Sequence, residues 1–348
     1  MKTITKYTVL LLITILLFSC GKDKGGNPTK KEEEKTVSIY AIGNSKTKIK
    51  LWKDSTSQTI TDGTYAAEAF TIIISGDDVY VSGSEKNSNN KSVAKIWKNG
   101  TAQALTDLTS NSKDAAAYDI KISGSDVYAV GYESGLDNKA KLWKNGTVET
   151  LTGGTAGHVS SKANAITLSG SDVYVAGNLA KSGKSVAGIW KNGALKLLTD
   201  GKRNAEANAI AVSGSDVYVA GNSENGNGSV RVAVLWKNGK AQNLTEGKGS
   251  ETAGAHAVAI SGTDVYVAGF ERKTNGAIVA ILWKNGKAQE LTNDSSNSND
   301  ARAYTIAISG KDVYVAGVRN GNAIIWKNGK ALTLVDNKAA SIYDLFIK

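Results

Sequence analysis

The chain has 348 residues, with 37 glycines, seven tryptophans, one each of proline, cysteine and methionine, and a formal charge of +10. One cysteine supports neither an intramolecular disulfide nor a Cys-rich metal site, and two histidines, His158 and His256, leave little for a His-based cage, so no metal and no cofactor are expected. The composition is that of a soluble globular body, and the positive balance raises nucleic acid and acidic membranes as partners to be weighed.

Lys2 and Lys6 precede an apolar run from Tyr7 to Phe18, closed by Leu17-Phe18-Ser19-Cys20. A positive start followed by about a dozen apolar residues is the layout of a secretory signal peptide, too short to span a bilayer. Residues 1–19 resemble the leader of bacterial lipoproteins, whose lipobox cysteine is acylated and becomes the first mature residue. The resemblance implies lipidation of Cys20. Each buried acyl methylene contributes about 0.8 kcal/mol, so several chains on Cys20 would hold the protein stably. Gly21 stands where a retention signal would place Asp, which by the same resemblance points to the outer membrane, with the body on either its surface or its periplasmic side. Residues 20–36 carry the lipidated cysteine and then a charged, Gly-rich stretch without apolar periodicity, read as a flexible tether.

From residue 37 to 348 a unit of about 46 residues recurs, the sign of a repeat architecture. Trp52, Trp97, Trp143, Trp190, Trp236, Trp283 and Trp326 mark seven copies, and six of them are followed by Lys-Asn-Gly. A second signature, Ser-Gly-x-Asp-Val-Tyr, begins at Ser75, Ser123, Ser169, Ser213, Ser261 and Ser309. Each unit resolves into four short β-runs: strand a as in Ala209–Val212, b as in Val217–Ala220, c as in Val232–Trp236 and d as in Ala241–Thr245. Val, Ile, Tyr and Trp favour strands, and Asn-Gly between two such runs is a strong hairpin signal. No window keeps a helical period.

Strands b, c and d occur seven times, starting at Ser38–Gly43, whereas strand a occurs six times before the last unit ends. The C-terminal segment Ala340–Ile347 supplies the seventh. The expected fold is therefore an all-β, seven-bladed β-propeller with four antiparallel strands per blade, closed by the C-terminal strand joining the N-terminal blade.

Intervals within the repeats separate two faces. The signature Ser lies eight residues before the Gly ending strand b in all six cases, as in Ser75 to Gly83, while the b–c interval grows from nine residues (Gly43 to Trp52) to fifteen (Gly221 to Trp236). The b–c and d–a loops share one face of an up-and-down blade, so length variation gathers there, where loops on a rigid scaffold carry function. The opposite face carries seven lysines after the tryptophans and six aspartates in the a–b turns, a nearly balanced ring of exposed ion pairs. The remaining charge is scattered, without the basic stripe of a nucleic-acid groove, so no nucleic acid is expected.

The repeated tryptophans and strand-b tyrosines are read as scaffold. One position, five residues before the signature Ser, is not repeated: it holds Tyr343, Phe70, Tyr118, Asn164, Asn208, His256 and Tyr304 around the ring. Aromatics form one arc (blades 7, 1, 2 and 3) and polar groups the other, at the start of strand a near the channel mouth. Two residues earlier, Glu68, Glu206 and Arg302 add charged groups, and Tyr65 and Tyr132 are placed in loops beside the aromatic arc. Aromatic faces beside amides suit a sugar, whose C–H groups stack while its hydroxyls take directional hydrogen bonds; the same side chains could equally plug the channel.

No nucleophile elbow, phosphate loop, zinc-protease motif or EF-hand appears, so no catalytic residue is assigned and the protein is expected not to be an enzyme. His158 reads as a surface histidine, and the oxygen-rich loop Asn293–Asp300 lacks calcium-loop spacing. Residues 37–348, with their Trp-Lys-Asn-Gly and Ser-Gly-x-Asp-Val-Tyr signatures, resemble uncharacterised seven-bladed propeller lipoproteins of Bacteroidetes-type bacteria. That resemblance and the site together point to an outer-membrane binding module with a monomeric body, recognising glycan or protein through the variable face. Two alternatives stand beside it: a structural component of an envelope assembly, and a glycan-active enzyme using Glu68 and Glu206 as an opposed carboxylate pair.

Overall fold

The computed structural model describes residues 37–54, 56–151, 158–226, 228, 230–247, 252–292, 300–332 and 340–348. The leader, Cys20 and the tether lie outside the described residues, as do most of the 293–300 loop and the side chain of His158.

Seven four-stranded antiparallel sheets are arranged as a propeller. Blade 1 pairs the C-terminal strand a, Ala340–Ile347, with b (Ile39–Ser45), c (Lys48–Lys53) and d (Thr56–Thr59). The closure runs from Ile39 opposite Ile347 to Ser45 opposite Ala340, so both ends of the body lie in one sheet. The other blades are continuous in sequence, their a strands being Ala67–Ser75, Ala115–Ser123, His158–Ser169, Ala205–Ser213, Ala253–Ser261 and Ala301–Ser309. Strand d is shorter than its apolar pattern suggests. In blade 5 it covers Lys240–Asn243, and Thr245 instead turns its Oγ1 to accept the Ala233 N–H at 3.1 Å.

The core sits between blades. Seven apolar clusters fill the seven interfaces, each contributed by two neighbouring sheets. Trp236, 1 % exposed, packs with Ala165, Ala176 and Ile189 of the preceding blade. At about 25 cal/mol per Å² over about 200 Å², each such tryptophan contributes on the order of 5 kcal/mol of burial. The strand alternation thus buries both faces of the inner strands, which explains their near-continuous apolar runs.

The c–d turns set the invariant face. Asn99, Asn145, Asn192, Asn238, Asn285 and Asn328 take φ near +50° with the following glycine also positive, the geometry of a type I′ hairpin. Each Asn then fastens its own blade: Asn238 Oδ1 accepts the Val217 N–H at 2.8 Å, and its Nδ2 donates to Asp216 at 2.8 Å. The neighbouring lysine bridges the same aspartate, as in Lys237–Asp216 at 2.7 Å, and sits 5.2 Å above the Tyr218 ring. The motif recurs in six blades, so the basic ring is neutralised within each of those six. Hydrogen bonds from the lysine and the asparagine hold these aspartates below the usual carboxylate range.

Candidate functional site at the channel mouth

Strand a is the innermost strand of every sheet and carries a β-bulge at the same place in all seven; in blade 4 a second register shift lies between His158 and Ser161. In blade 2 Ala69 pairs with Gly83 and Thr71 with Ser82, leaving Phe70 as the extra residue. The same shift isolates Tyr118, Asn164, Asn208, His256, Tyr304 and Tyr343. The seven unrepeated residues are therefore the seven bulge residues. A bulge re-aims side chains and re-phases the strand, and here the bulged residue and the one after it both face the channel. Together they line one cavity of about 350 Å³.

The bulge explains a glycine that the sequence comparison noted only as a repeat landmark. Gly221 lies opposite Ala207, and a Cβ on it would sit 1.9 Å from the Glu206 carbonyl oxygen. Its six counterparts meet the same obstruction at 1.7–2.1 Å. Glycine in strand b is the steric partner of the bulge in strand a.

The aromatic residues of the arc meet in two groups. Phe70 meets Tyr118 edge-on with ring centroids 5.0 Å apart; Tyr304 lies 5.8 Å from Tyr343 and 5.3 Å from His256. Two further rings extend it. Tyr132 stacks 5.6 Å from Tyr118, and Phe270 lies 5.4 Å from His256. Tyr132 is thus part of strand b (Asp126–Glu133), not of a loop: it pairs with Ala116, whose small side chain leaves room for the ring. Phe270 is paired in the same way with Gly254. Each extension ends under a cation, Lys162 at 4.6 Å from Tyr132 and Arg302 at 4.6 Å from Phe270. Tyr65 is an exposed loop residue.

The polar arc has a definite orientation. Asn164 Nδ2 donates to Ala207 O, Asn208 Nδ2 to Ala255 O, and His256 Nδ1 meets Ala303 O, each at 2.9 Å and each on the next blade. A carbonyl oxygen only accepts, so His256 carries its proton on Nδ1 and presents Nε2 as a lone pair; burial lowers its pKa and keeps the ring neutral. The same reasoning leaves Oδ1 of both asparagines as their free end.

Beneath the ring, one residue further along strand a, lie Asp344, Thr71, Asp119, Ala165, Ala209, Ala257 and Thr305. Asp344 Oδ1 accepts from Thr305 Oγ1 at 2.5 Å and Oδ2 accepts the Ile72 N–H at 3.0 Å, so it links blades 7, 1 and 2. Burial pushes its carboxyl up to about 6. Asp119 accepts the Ile120 and Ile166 N–H groups at 2.7 and 2.9 Å and pairs with Lys121 at 3.0 Å. For Lys121, burial opposes the charge, but Asp119 and Asp344 outweigh it and raise its pKa.

Asp119, Lys121 and Asp344 were not singled out in the sequence. Comparing repeats one position past the bulge would have exposed the two aspartates, which stand where the other blades have Ala or Thr. Of the charged residues that were singled out, none lies among those lining the cavity. Glu206 receives Asn222 Nδ2 at 3.1 Å and lies 3.8 Å from Arg231; Glu68 is exposed on strand a of blade 2; Arg302 Nε donates to Asp300 at 3.0 Å. Among the described residues no group of three or more His, Cys, Asp or Glu is placed to hold a metal.

No family model and no curated protein sequence matches the chain. Solved structures do. The periplasmic gluconolactonase of Pseudomonas aeruginosa is similar over 90 % of this chain and 99 % of its own, at 14 % identity and a TM-score of 0.52. A puromycin-hydrolysing peptidase of Mycobacterium tuberculosis is similar over 86 % of this chain, at 12 % identity and a TM-score of 0.54; the chain spans about half, 52 %, of that protein. A Bacteroides fragilis protein assigned as a 6-phosphogluconolactonase is similar over 92 % of this chain and 100 % of its own, at 13 % identity and a TM-score of 0.50. At such identities the likeness is one of fold. The expectation that the chain is not an enzyme is corrected: the solved structures that share its fold include a gluconolactonase and a peptidase. The expectation rested on missing motifs, and a propeller builds its sites from single residues of many blades, which leave no contiguous motif.

Proposed function

We propose that the protein recognises a sugar or a sugar-derived small molecule in the channel mouth, held by the aromatic arc and the polar groups beside and beneath it. One observation carries this reading: the seven residues that escape the repeat are the seven bulge residues around one cavity. Aromatic side chains present faces for C–H stacking on four consecutive blades, and acceptor atoms occupy the other three. The cavity of about 350 Å³ suits one or two sugar rings.

A second reading, hydrolysis of a sugar lactone at the same place, is favoured by Asp344. A carboxyl that titrates near 6 inside a cavity is poised to take a proton from water. A gluconolactonase is among the solved structures that share this fold.

The test is calorimetry with a panel of mono- and disaccharides, alongside an acid-release assay on gluconolactone, using the wild-type body and the Tyr118→Ala and Tyr304→Ala variants. Binding weakened about tenfold or more in both variants is expected. Binding or turnover unaffected by both substitutions would remove the channel mouth from the function.

We further propose that the body is carried on the outer membrane by lipid on Cys20. Loss of palmitate labelling and release of the protein into the soluble fraction are expected for Cys20→Ser. Unchanged membrane association in that variant would exclude the anchor.

A further inference from the structure

The hydrogen bonds that fasten the ring leave the cavity with a chemical bias. Asn164 and Asn208 each commit Nδ2 to a carbonyl of the following blade, and His256 commits Nδ1–H in the same way. What these three side chains offer to the cavity is Oδ1, Oδ1 and Nε2, all acceptors. His256 Nε2 has no hydrogen-bond partner among the described residues. It lies beside Gly254, the only glycine among the seven positions two residues before a bulge; a Cβ there would stand 3.0 Å from the Phe270 ring and 3.7 Å from Nε2. The ring is largely withdrawn from solvent and held neutral, it lines the cavity, and Phe270 fills the space that Gly254 leaves beside it.

Beneath the ring the bias continues. Asp119 and Asp344 line the cavity together with one lysine, Lys121, and both carboxylates lie below the arc of Tyr304, Tyr343, Phe70 and Tyr118. Lys121 is committed to Asp119 at 3.0 Å and to Ile120 O at 3.1 Å. Counted as formal charges, Asp119, Lys121 and Asp344 leave the lining with one net negative charge. Aromatic faces add to this, because their quadrupoles attract cations.

We propose that the site is selective for a ligand bearing a protonated amine, and specifically for an amino sugar over the matching neutral sugar. This rests on the carbohydrate reading above and names the ligand class within it. The amine would complete the charge of the Asp119–Lys121–Asp344 group while the sugar ring stacks on the tyrosines, and its donors would meet His256 Nε2 and the asparagine Oδ1 atoms. N-acetylation would remove the charge and add bulk while keeping the ring.

The experiment compares glucosamine, glucose and N-acetylglucosamine by calorimetry on the intact body, at a pH where the glucosamine amine is protonated. The variants Asp344→Asn and Asp119→Asn are measured in parallel, with circular dichroism to confirm that each is folded. Glucosamine is expected to bind about tenfold or more tightly than either neutral sugar, and the preference is expected to fall to near unity in the folded variants. Equal or tighter binding of glucose or N-acetylglucosamine would overturn the amine preference and leave the carbohydrate reading standing. Absence of binding by all three sugars, with a neutral disaccharide or lactone bound instead, would overturn it as well. A preference that survives both substitutions would overturn the assignment to these carboxylates.

Discussion

Replacing Asp344 by Asn should stabilise the propeller at neutral and alkaline pH and leave it unchanged in acid. Asp344 lies on the closing strand and bridges three blades, with Thr305 donating to one oxygen and the Ile72 N–H to the other. An amide keeps both contacts: its oxygen accepts from Ile72 and its nitrogen donates to Thr305. What it removes is the charge. Burial raises the carboxyl from 3.8 to about 6, a displacement of about two units, or roughly 3 kcal/mol at 1.36 kcal/mol per unit. The side chain keeps some exposure within the channel, where water screens it, so about 1–3 kcal/mol is the expected range.

The sign follows from proton counts. Between about pH 4 and 6 the folded chain holds a proton on Asp344 that the unfolded chain has released, so stability from this group falls as pH rises. Its contribution is complete below about pH 4 and lost above about pH 6. Asp78, Asp126, Asp172, Asp216, Asp264 and Asp312 act in the opposite direction, since hydrogen bonds from their lysines and asparagines lower them. They are common to both proteins and cancel in the difference. Urea unfolding of wild type and D344N, at intervals from pH 4 to 8, should therefore give a gap that opens between pH 4 and 6 and then stays constant. A gap independent of pH, or an amide variant that is less stable at pH 8, would show that attraction by Lys121 outweighs the burial of the charge.

Gly221→Ala should destabilise the body by about 3 kcal/mol or more, because the new Cβ meets the Glu206 carbonyl at 1.9 Å, whereas Gly226→Ala, with nothing within 4 Å, should stay within about 0.5 kcal/mol; equal urea midpoints would refute the bulge–glycine pairing. Asn238→Ala should cost about 1–2 kcal/mol through two lost hydrogen bonds and a φ of +53°, and Asn238→Gly less, since glycine keeps the turn; a thermal ranking with Gly below Ala would contradict that account.

The fold was legible because a propeller writes each of its interactions several times. Trp-Lys-Asn-Gly fixes a turn, an ion pair and an interface tryptophan together in six blades, and the seventh tryptophan, Trp52, completes the count. The closing strand followed from strand bookkeeping alone. The ring of candidate site residues was legible for the opposite reason: Phe70, Tyr118 and His256 stand where a repeat would otherwise be copied. Asp119 and Asp344 were not legible, because the bulge was not anticipated. In a regular strand neighbouring residues face opposite ways, so a channel-facing Tyr343 implies that Asp344 points into a blade interface. The bulge breaks that alternation and turns both toward the channel. The strand-b glycine was the available signal, since an unvarying glycine inside an apolar strand marks a bulge or a close backbone approach.

The two channel aspartates bear on function as well as on stability. Blades 4, 5 and 6 have alanine at the corresponding position and keep the same bulge. The fold therefore does not need a carboxylate there. Asp344, whose buried charge opposes folding at neutral pH in a position that alanine fills in other blades, points to a role in the cavity rather than in the architecture around it. Because the bulge and its glycine are set by the scaffold, the two residues facing the channel in each blade can change without altering the ring. These positions are thereby free to define a ligand, and in this chain they define an acceptor-rich, aromatic-rimmed cavity.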